Sequence, residues 1–225
     1  MKHTRRHFLL FALLLAACLT SSQAMAAELA SDGNDAKTEL NKAIKAVKRL
    51  GAFEARWEAS EFQGSAQTAS FSGNIYVSSP RVYLSTSQQS IWYDGHTEWN
   101  LRTGASEVYV STPTAAEAAK INPLSFLSIP LSNYNAQPLK RTTLRGESTI
   151  SIDLTARAGV RTAWKYIYIT LDASSRLPLC VRFSPDGHRW TRISLYSLSG
   201  GRKFPTSLFQ YPSNKYPNVD VVDLR

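Results

Sequence analysis

The chain has 225 residues, 43% of them apolar and 19% charged, with a formal net charge of +9 and only two cysteines. That apolar share supports one domain with a sizeable core and excludes a low-complexity or disordered chain. The cations are dispersed apart from Lys45, Lys48 and Arg49, which argues against nucleic acid as a partner and is compatible with anionic lipid headgroups.

Residues 1–26 read as an export signal. Lys2, His3, Arg5 and Arg6 lead into the Leu-rich apolar run 8–17, which is about half the length of a membrane span. Ala24-Met25-Ala26 then supplies an A-x-A cleavage site, so the mature chain is expected to begin at Ala27. Leu15-Ala16-Ala17-Cys18 offers a second cleavage as a lipobox, after which a lipidated Cys18 would be the N-terminus; both remain open. Thr4-Arg5-Arg6-His7-Phe8-Leu9-Leu10 resembles a twin-arginine motif, but no cofactor motif accompanies it, and ordinary secretion is the reading. Without Lys2, Arg5 and Arg6 the net charge falls from +9 to +6. Cys180 is then the sole cysteine, so an exported fold must rely on its core rather than on disulfides.

Residues 27–34 are polar and are expected to be disordered. A helix is predicted over 35–50, because Leu40, Ile44 and Val47 recur at i, i+4 and i+7 and Gly51 stands as the stop. From Phe53 onward the period becomes two. Phe71, Gly73, Ile75 and Val77 share one face, and short runs follow at 82–86, 90–94, 97–101 and 107–111. Asp94-Gly95 and Asp186-Gly187 each lie between two such runs, where Gly accepts positive φ, so both are read as hairpin turns. His96 and His188 then stand at exposed turn exits, without the enclosed site or orienting partner that a catalytic histidine needs.

Residues 112–138 break the pattern. Thr114 with Glu117 forms a capping box, a helix is expected over 115–120, and Asn122-Pro123 leads into the apolar Leu124-Ser125-Phe126-Leu127-Ser128-Ile129. Strand runs resume at 139–144, 148–156, 163–171, 177–184 and 190–196, with two more at 206–211 and 219–222, giving about eleven in all. Within 163–171, Trp164, Tyr166 and Tyr168 alternate with Ile167, Ile169 and Leu171. Only one row can face inward, and the aliphatic row is expected to.

The sequence carries no G-x-S-x-G, HExxH or CxxC, and Cys180 between Leu179 and Val181 reads as a small strand residue. No enzyme, metal or cofactor is expected, and an exported hydrolase remains the rival from another class.

The order of these elements resembles the LolA-type periplasmic carrier of outer-membrane lipoproteins. The likeness rests on Phe71-x-Gly73-x-Ile75-Tyr76-Val77-x-x-Pro80-x-x-Tyr83, on Ile91-x-x-Asp94-Gly95-x-x-x-Trp99, on Thr112-Pro113 before the insertion, and on Phe209-x-Tyr211 and Tyr216-Pro217-x-Val219-x-Val221-Val222-Asp223. It implies a mainly β (α+β) domain over 35–225: an open, incomplete antiparallel β-barrel with an N-terminal amphipathic helix and a helical lid insertion. It further implies a monomeric periplasmic carrier with acylated lipoproteins as cargo, an inner-membrane release complex as donor and an outer-membrane acceptor. On that reading Trp57, Phe71, Ile75, Val77, Tyr83, Ile91 and Trp99 line the apolar cavity, with Leu124, Phe126 and Leu127 from the lid. The family's lid-latching Arg precedes the proline of the second long strand; that position is Ser79 here, and Arg81 is the candidate substitute. Two relatives share the half-barrel: a LolB-like acceptor anchored through a lipidated Cys18, and a sensor of mislocalised lipoproteins, which carries an additional domain.

Overall fold

The structure, a computed structural model, describes residues 35–114, 117–118, 124, 127 and 129–225. The leader, Cys18, the segment 27–34 and Phe126 lie outside the described residues, as does most of the helix expected over 115–120.

Helix α1 occupies residues 35–49 and stops at Gly51, whose φ of 65° lies in the left-handed region that glycine enters without steric cost. Its buried stripe is Ala36, Leu40, Ala43 and Ala46, with Ile44 and Val47 packed at the margin. Glu39 is buried on the same helix and is paired by Lys42 at 2.7 Å and by the Nε of Arg176 at 2.5 Å. Burial works against its charge, but the two cations outweigh that and hold the carboxyl below its ordinary value. Because Arg176 comes from a distant turn between strands, the pair fixes the start of α1 against the sheet.

Among the described residues, thirteen strands form a single unclosed sheet. In chain order they are β1 (Phe53–Gln63), β2 (Ala66–Ser78), β3 (Arg81–Thr86), β4 (Gln89–Tyr93), β5 (Glu98–Arg102), β6 (Glu107–Ser111), β7 (Tyr134–Ala136), β8 (Lys140–Leu144), β9 (Glu147–Ala156), β10 (Tyr166–Asp172), β11 (Pro178–Ser184), β12 (Arg189–Ser199) and β13 (Asp220–Asp223). Two antiparallel arrays, β1 to β6 and β8 to β12, meet along a seam where β1 pairs with β12, Glu54 opposite Ser199 and Gln63 opposite Arg189. At one edge β13 adds to β6 in parallel, and at the other β7 and β8 share the outer side of β9. The expected open, incomplete barrel is therefore what the chain builds.

Both Asp-Gly turns are observed. The Asp94 Oδ1 accepts from the backbone N–H of His96 and Thr97, and the Asp186 Oδ1 accepts from those of His188 and Arg189. Those bonds, with the Arg189 side chain, hold the Asp186 carboxyl well below its ordinary range. Gly95 has φ 105°, and a Cβ there would stand 3.0 Å from Pro80 of the neighbouring turn. Both histidines are exposed, as the turn reading requires. The aliphatic row of β10 faces the core, with Ile167, Ile169 and Leu171 at most 1% exposed.

Two expectations fail. The apolar run 206–211 is not a strand: Thr206–Phe209 is a 3-10 turn that drives Phe209 into the core between flanking prolines. Strand β7 was not predicted, because three residues are too few to show a period.

Candidate functional site

The inner face of the sheet is apolar from β4 across the seam to β9. On the β1–β4 side Ala55, Trp57, Ile75, Val77, Leu84 and Ile91 belong to one buried cluster, which Leu195 of β12 joins. On the β9–β11 side Ile152, Leu154, Ile167, Ile169 and Val181 belong to a second. Ile193 of β12 touches both, so the two walls are continuous.

Two segments cover this face. The first half of α1 packs on the second wall through Ala36, Leu40 and Ala43, while Val47 and Leu50 reach the first. The other cover is the insertion. Its capping box forms as predicted: the Thr114 hydroxyl donates to Glu117 Oε2 at 2.7 Å and Thr114 N–H donates to the same oxygen at 2.9 Å. Residues 117 and 118 are helical, and Leu124 and Leu127 lie in 3-10 conformation. Leu124 packs on the first wall and Leu127 on the second, each 5% exposed. The insertion therefore bridges both walls.

Of the residues predicted for the cavity, the structure brings Trp57, Ile75, Val77, Ile91 and Leu124 into one cluster with Phe71 at its margin, and Leu127 into the other. Trp57 meets Phe71 edge-on at 5.8 Å. Tyr83 and Trp99 are corrections. Pairing sets Tyr83 opposite Trp92 and Trp92 opposite Trp99, all on the outer face, where Tyr211, Tyr216 and Val219 of the C-terminal segment cover them. The latch assigned to Arg81 is a correction too. Period two places Arg81 beside Tyr83 on the outer face, where its guanidinium donates to Thr206 Oγ1 at 3.0 Å and to Ser78 Oγ and lies over the Phe209 ring. Those contacts tie down the C-terminal segment. Sequence reading missed the small inner residues Ala36, Ala43, Ala55 and Ala59. Their spacing carried the signal, since Ala55 and Ala59 share the parity of Trp57.

Trp57 has a further property. Its Nε1–H is buried and has no hydrogen-bond partner among the described residues, in a wall that is mostly aliphatic. Leaving such a donor unsatisfied costs about 1–3 kcal/mol.

Among the described residues, two solvent-open clefts lie toward the β5–β6 edge of the sheet. One of about 610 Å³ is lined by Gln89, Asn100, Arg102, Glu107 and Tyr109. Another of the same volume lies between Glu98, Thr112, Pro113 and Glu117. Burial raises the Glu98 carboxyl above its ordinary value, and the Glu117 carboxylate adds to the shift. Among the described residues no group of three or more histidine, cysteine, aspartate and glutamate side chains is arranged to hold a metal, and no helix is long and apolar enough to cross a membrane.

Residues 26–186 match a family model described as outer membrane lipoprotein carrier protein LolA. Comparison with curated proteins gives no match. Among solved structures, an uncharacterised conserved protein from Thermus thermophilus is similar at a TM-score of 0.56 and 9% identity, covering 84% of this chain and 99% of that one. A LolA superfamily protein from Nitrosomonas europaea is similar at a TM-score of 0.41 and 12% identity, covering 78% and 97%. The Pseudomonas aeruginosa MucA/MucB complex contains a chain similar at a TM-score of 0.45 and 16% identity, covering 80% and 62%.

Proposed function

From its membership of the LolA family of outer membrane lipoprotein carrier proteins, to which this chain belongs by the match over residues 26–186, we propose that the protein is a periplasmic carrier of acylated lipoproteins. It takes their acyl chains between the inner face of the sheet and its two covers, without covalent chemistry or cofactor. The observation that carries the reading is the insertion bridging both apolar walls, Leu124 on one and Leu127 on the other. A chain entering there replaces the contacts it displaces. Each CH₂ it buries contributes about 0.8 kcal/mol, and each cover residue lifted into water gives back a comparable amount. Net affinity stays moderate, and release needs only that the cover return. A fixed apolar pocket of the same area would hold its cargo too long for a shuttle.

Trp57 supplies the polar handle. Once the cover lifts, its indole N–H faces the site and can donate to an ester or amide carbonyl near the lipidated cysteine of a cargo protein. Donor and acceptor complexes at the inner and outer membranes belong to the same proposal. The outer-membrane acceptor reading requires a lipidated Cys18 and is decided by the mass of the mature protein: a chain beginning at Ala27 supports the carrier, and a triacylated Cys18 refutes free shuttling.

The binding test uses a diacylated lipopeptide and its deacylated form, with tryptophan emission as readout. The carrier binds the acylated peptide saturably and ignores the other. In Trp57→Phe the loss of an unsatisfied donor offsets the lost packing of the larger ring, so stability changes little, while affinity for the acylated peptide falls. Equal binding of both peptides refutes the proposal; unchanged affinity in Trp57→Phe removes the tryptophan from it.

A further inference from the structure

The C-terminal segment covers the outer face of β3 to β6, whereas on the outer face of β11, β12 and β1 the described residues place Arg145, from the turn between β8 and β9, whose guanidinium donates to the Leu195 carbonyl at 2.7 Å. That surface has an uncommon make-up. Arg182 of β11 stands directly opposite Arg192 of β12, with Tyr168 on one flank and Ser60 on the other. Like charges facing across two strands destabilise a sheet, and neither guanidinium forms a salt bridge among the described residues. Instead each lies over a ring: Arg182 over Trp190 at 5.0 Å, Arg192 over Phe62 at 5.1 Å. Trp190 in turn stacks on Tyr168 at 5.3 Å and on Tyr166 at 6.1 Å.

The surface continues toward Tyr196, which is 50% exposed and carries Arg145 over its ring at 4.1 Å and Arg56 at 6.0 Å. Its hydroxyl donates to Glu58 at 3.0 Å. Lys140 and Glu54 drop out of the balance because Asp153 and Arg202 neutralise them. Arg182, Arg192, Arg145 and Arg56 therefore stand against Glu58 and, at the β9 end of the face, Glu147, on a sheet face paved with tryptophan and tyrosine.

We infer that this outer face docks on the surface of a bilayer carrying anionic phospholipids, with Arg182 and Arg192 taking headgroup phosphates while Trp190, Tyr168 and Tyr196 enter the interfacial layer. The charge is complementary to such a surface, and tryptophan and tyrosine are the side chains that settle at the boundary between hydrocarbon and water. Phosphates in a bilayer are laterally mobile, so they can reach two adjacent guanidinium groups without a pre-matched acidic partner. Guanidinium resting on an aromatic face is also less strongly hydrated than a free ammonium, which lowers the cost of approaching that boundary. Docking by the outer face would leave the covered inner face and its insertion pointing away from the lipid or along its edge. The inference does not depend on what the inner face carries.

The test is co-sedimentation of the full mature protein with two sets of vesicles that share acyl chains: phosphatidylglycerol mixed with phosphatidylethanolamine, and phosphatidylcholine mixed with phosphatidylethanolamine. Because the chains are identical, uptake by the inner face cannot produce a difference between the sets. The protein binds the anionic vesicles at low salt and leaves them as ionic strength rises. Arg182→Gln with Arg192→Gln lowers that binding by about thirtyfold, roughly fivefold per charge removed near the surface. The charge-keeping pair Arg182→Lys and Arg192→Lys retains most of it and shows that the sheet has not simply unfolded. Lys45→Gln with Lys48→Gln, on exposed positions of α1, removes the same charge and changes binding by less than about twofold. Equal binding to both vesicle sets overturns the inference and leaves the face to an acidic protein; equal loss from the α1 pair overturns it in favour of general charge attraction.

Discussion

Leu127→Ala tests the exchange of cover for cargo. Leu127 is 5% exposed against the wall that Ile152, Leu154, Ile167 and Ile169 build. On the proposed carrier reading, that contact stabilises a closed arrangement and is lost when the insertion lifts. The substitution deletes three side-chain carbons, worth about 0.8 kcal/mol each, or about 2.4 kcal/mol together. Where the whole loss falls on the closed state, the open population rises about sixtyfold, and apparent affinity for an acylated ligand rises with it until the open state dominates. Wild type and variant are titrated with the diacylated lipopeptide, and thermal unfolding is recorded on the same samples. The expected pattern is paired: lower stability with tighter binding. A variant that loses stability and binds no better refutes the competition, because Leu127 would then act as ordinary core or as a wall of the cargo site.

At Gly73 an added Cβ would stand 2.1 Å from the Ser85 carbonyl oxygen, so Gly73→Ala must push β2 and β3 apart and should cost about 3 kcal/mol by urea unfolding. Gly64→Ala, at a turn with open space and φ 60°, is the control at about 1 kcal/mol, and a Gly73→Ala loss no larger than this contradicts the close approach. Glu98 has a raised folded value, chiefly from burial and then from Glu117, so the stability linked to its protonated form is complete below the ordinary carboxylate pKa and is lost as pH rises through the folded one. Glu98→Gln should accordingly melt higher than wild type at neutral pH, with the difference fading toward about pH 3; a difference independent of pH speaks against the linkage.

The parts legible in the sequence are those set by local chemistry. The Leu40, Ile44 and Val47 spacing and Gly51 delimit α1 to within a residue, Thr114 and Glu117 make their capping box, and both Asp-Gly turns form with aspartate bonded to the following N–H groups. Facing is harder to read where a strand is buried on both sides. Ile91, Trp92 and Tyr93 are all at most 9% exposed, so alternation gives no parity there, and Tyr83 and Trp99 were consequently assigned to the wrong face. Only the register, Tyr83 opposite Trp92 opposite Trp99, resolves it. Arg81 was likewise out of reach, since its partner Thr206 lies 125 positions away. Phe209 and Tyr211 have strand-like composition, but the prolines at 205 and 212 fit a turn and a returning strap better than a ladder. The outer arginine pair was invisible for the same reason as the tryptophan pair: residues 182 and 192 become neighbours only through pairing of β11 with β12.

The seam between β1 and β12 also bears on how the molecule forms. Within each array neighbouring strands are joined by short turns, so their hairpins can close quickly and independently. The seam joins residues more than 120 positions apart, Gln63 with Arg189 at the nearest and Glu54 with Ser199 at the farthest. Closing a flexible loop of that length costs about 4 kcal/mol in chain entropy beyond a constant term. Until the last hairpin of the second array is complete, β1 has a partner on one side only, and the apolar faces of both arrays are open to water. Docking of the two halves along β1 and β12 thus carries the largest loop-closure cost in the sheet, and a half-sheet formed before it would present β1 as a long unpaired edge.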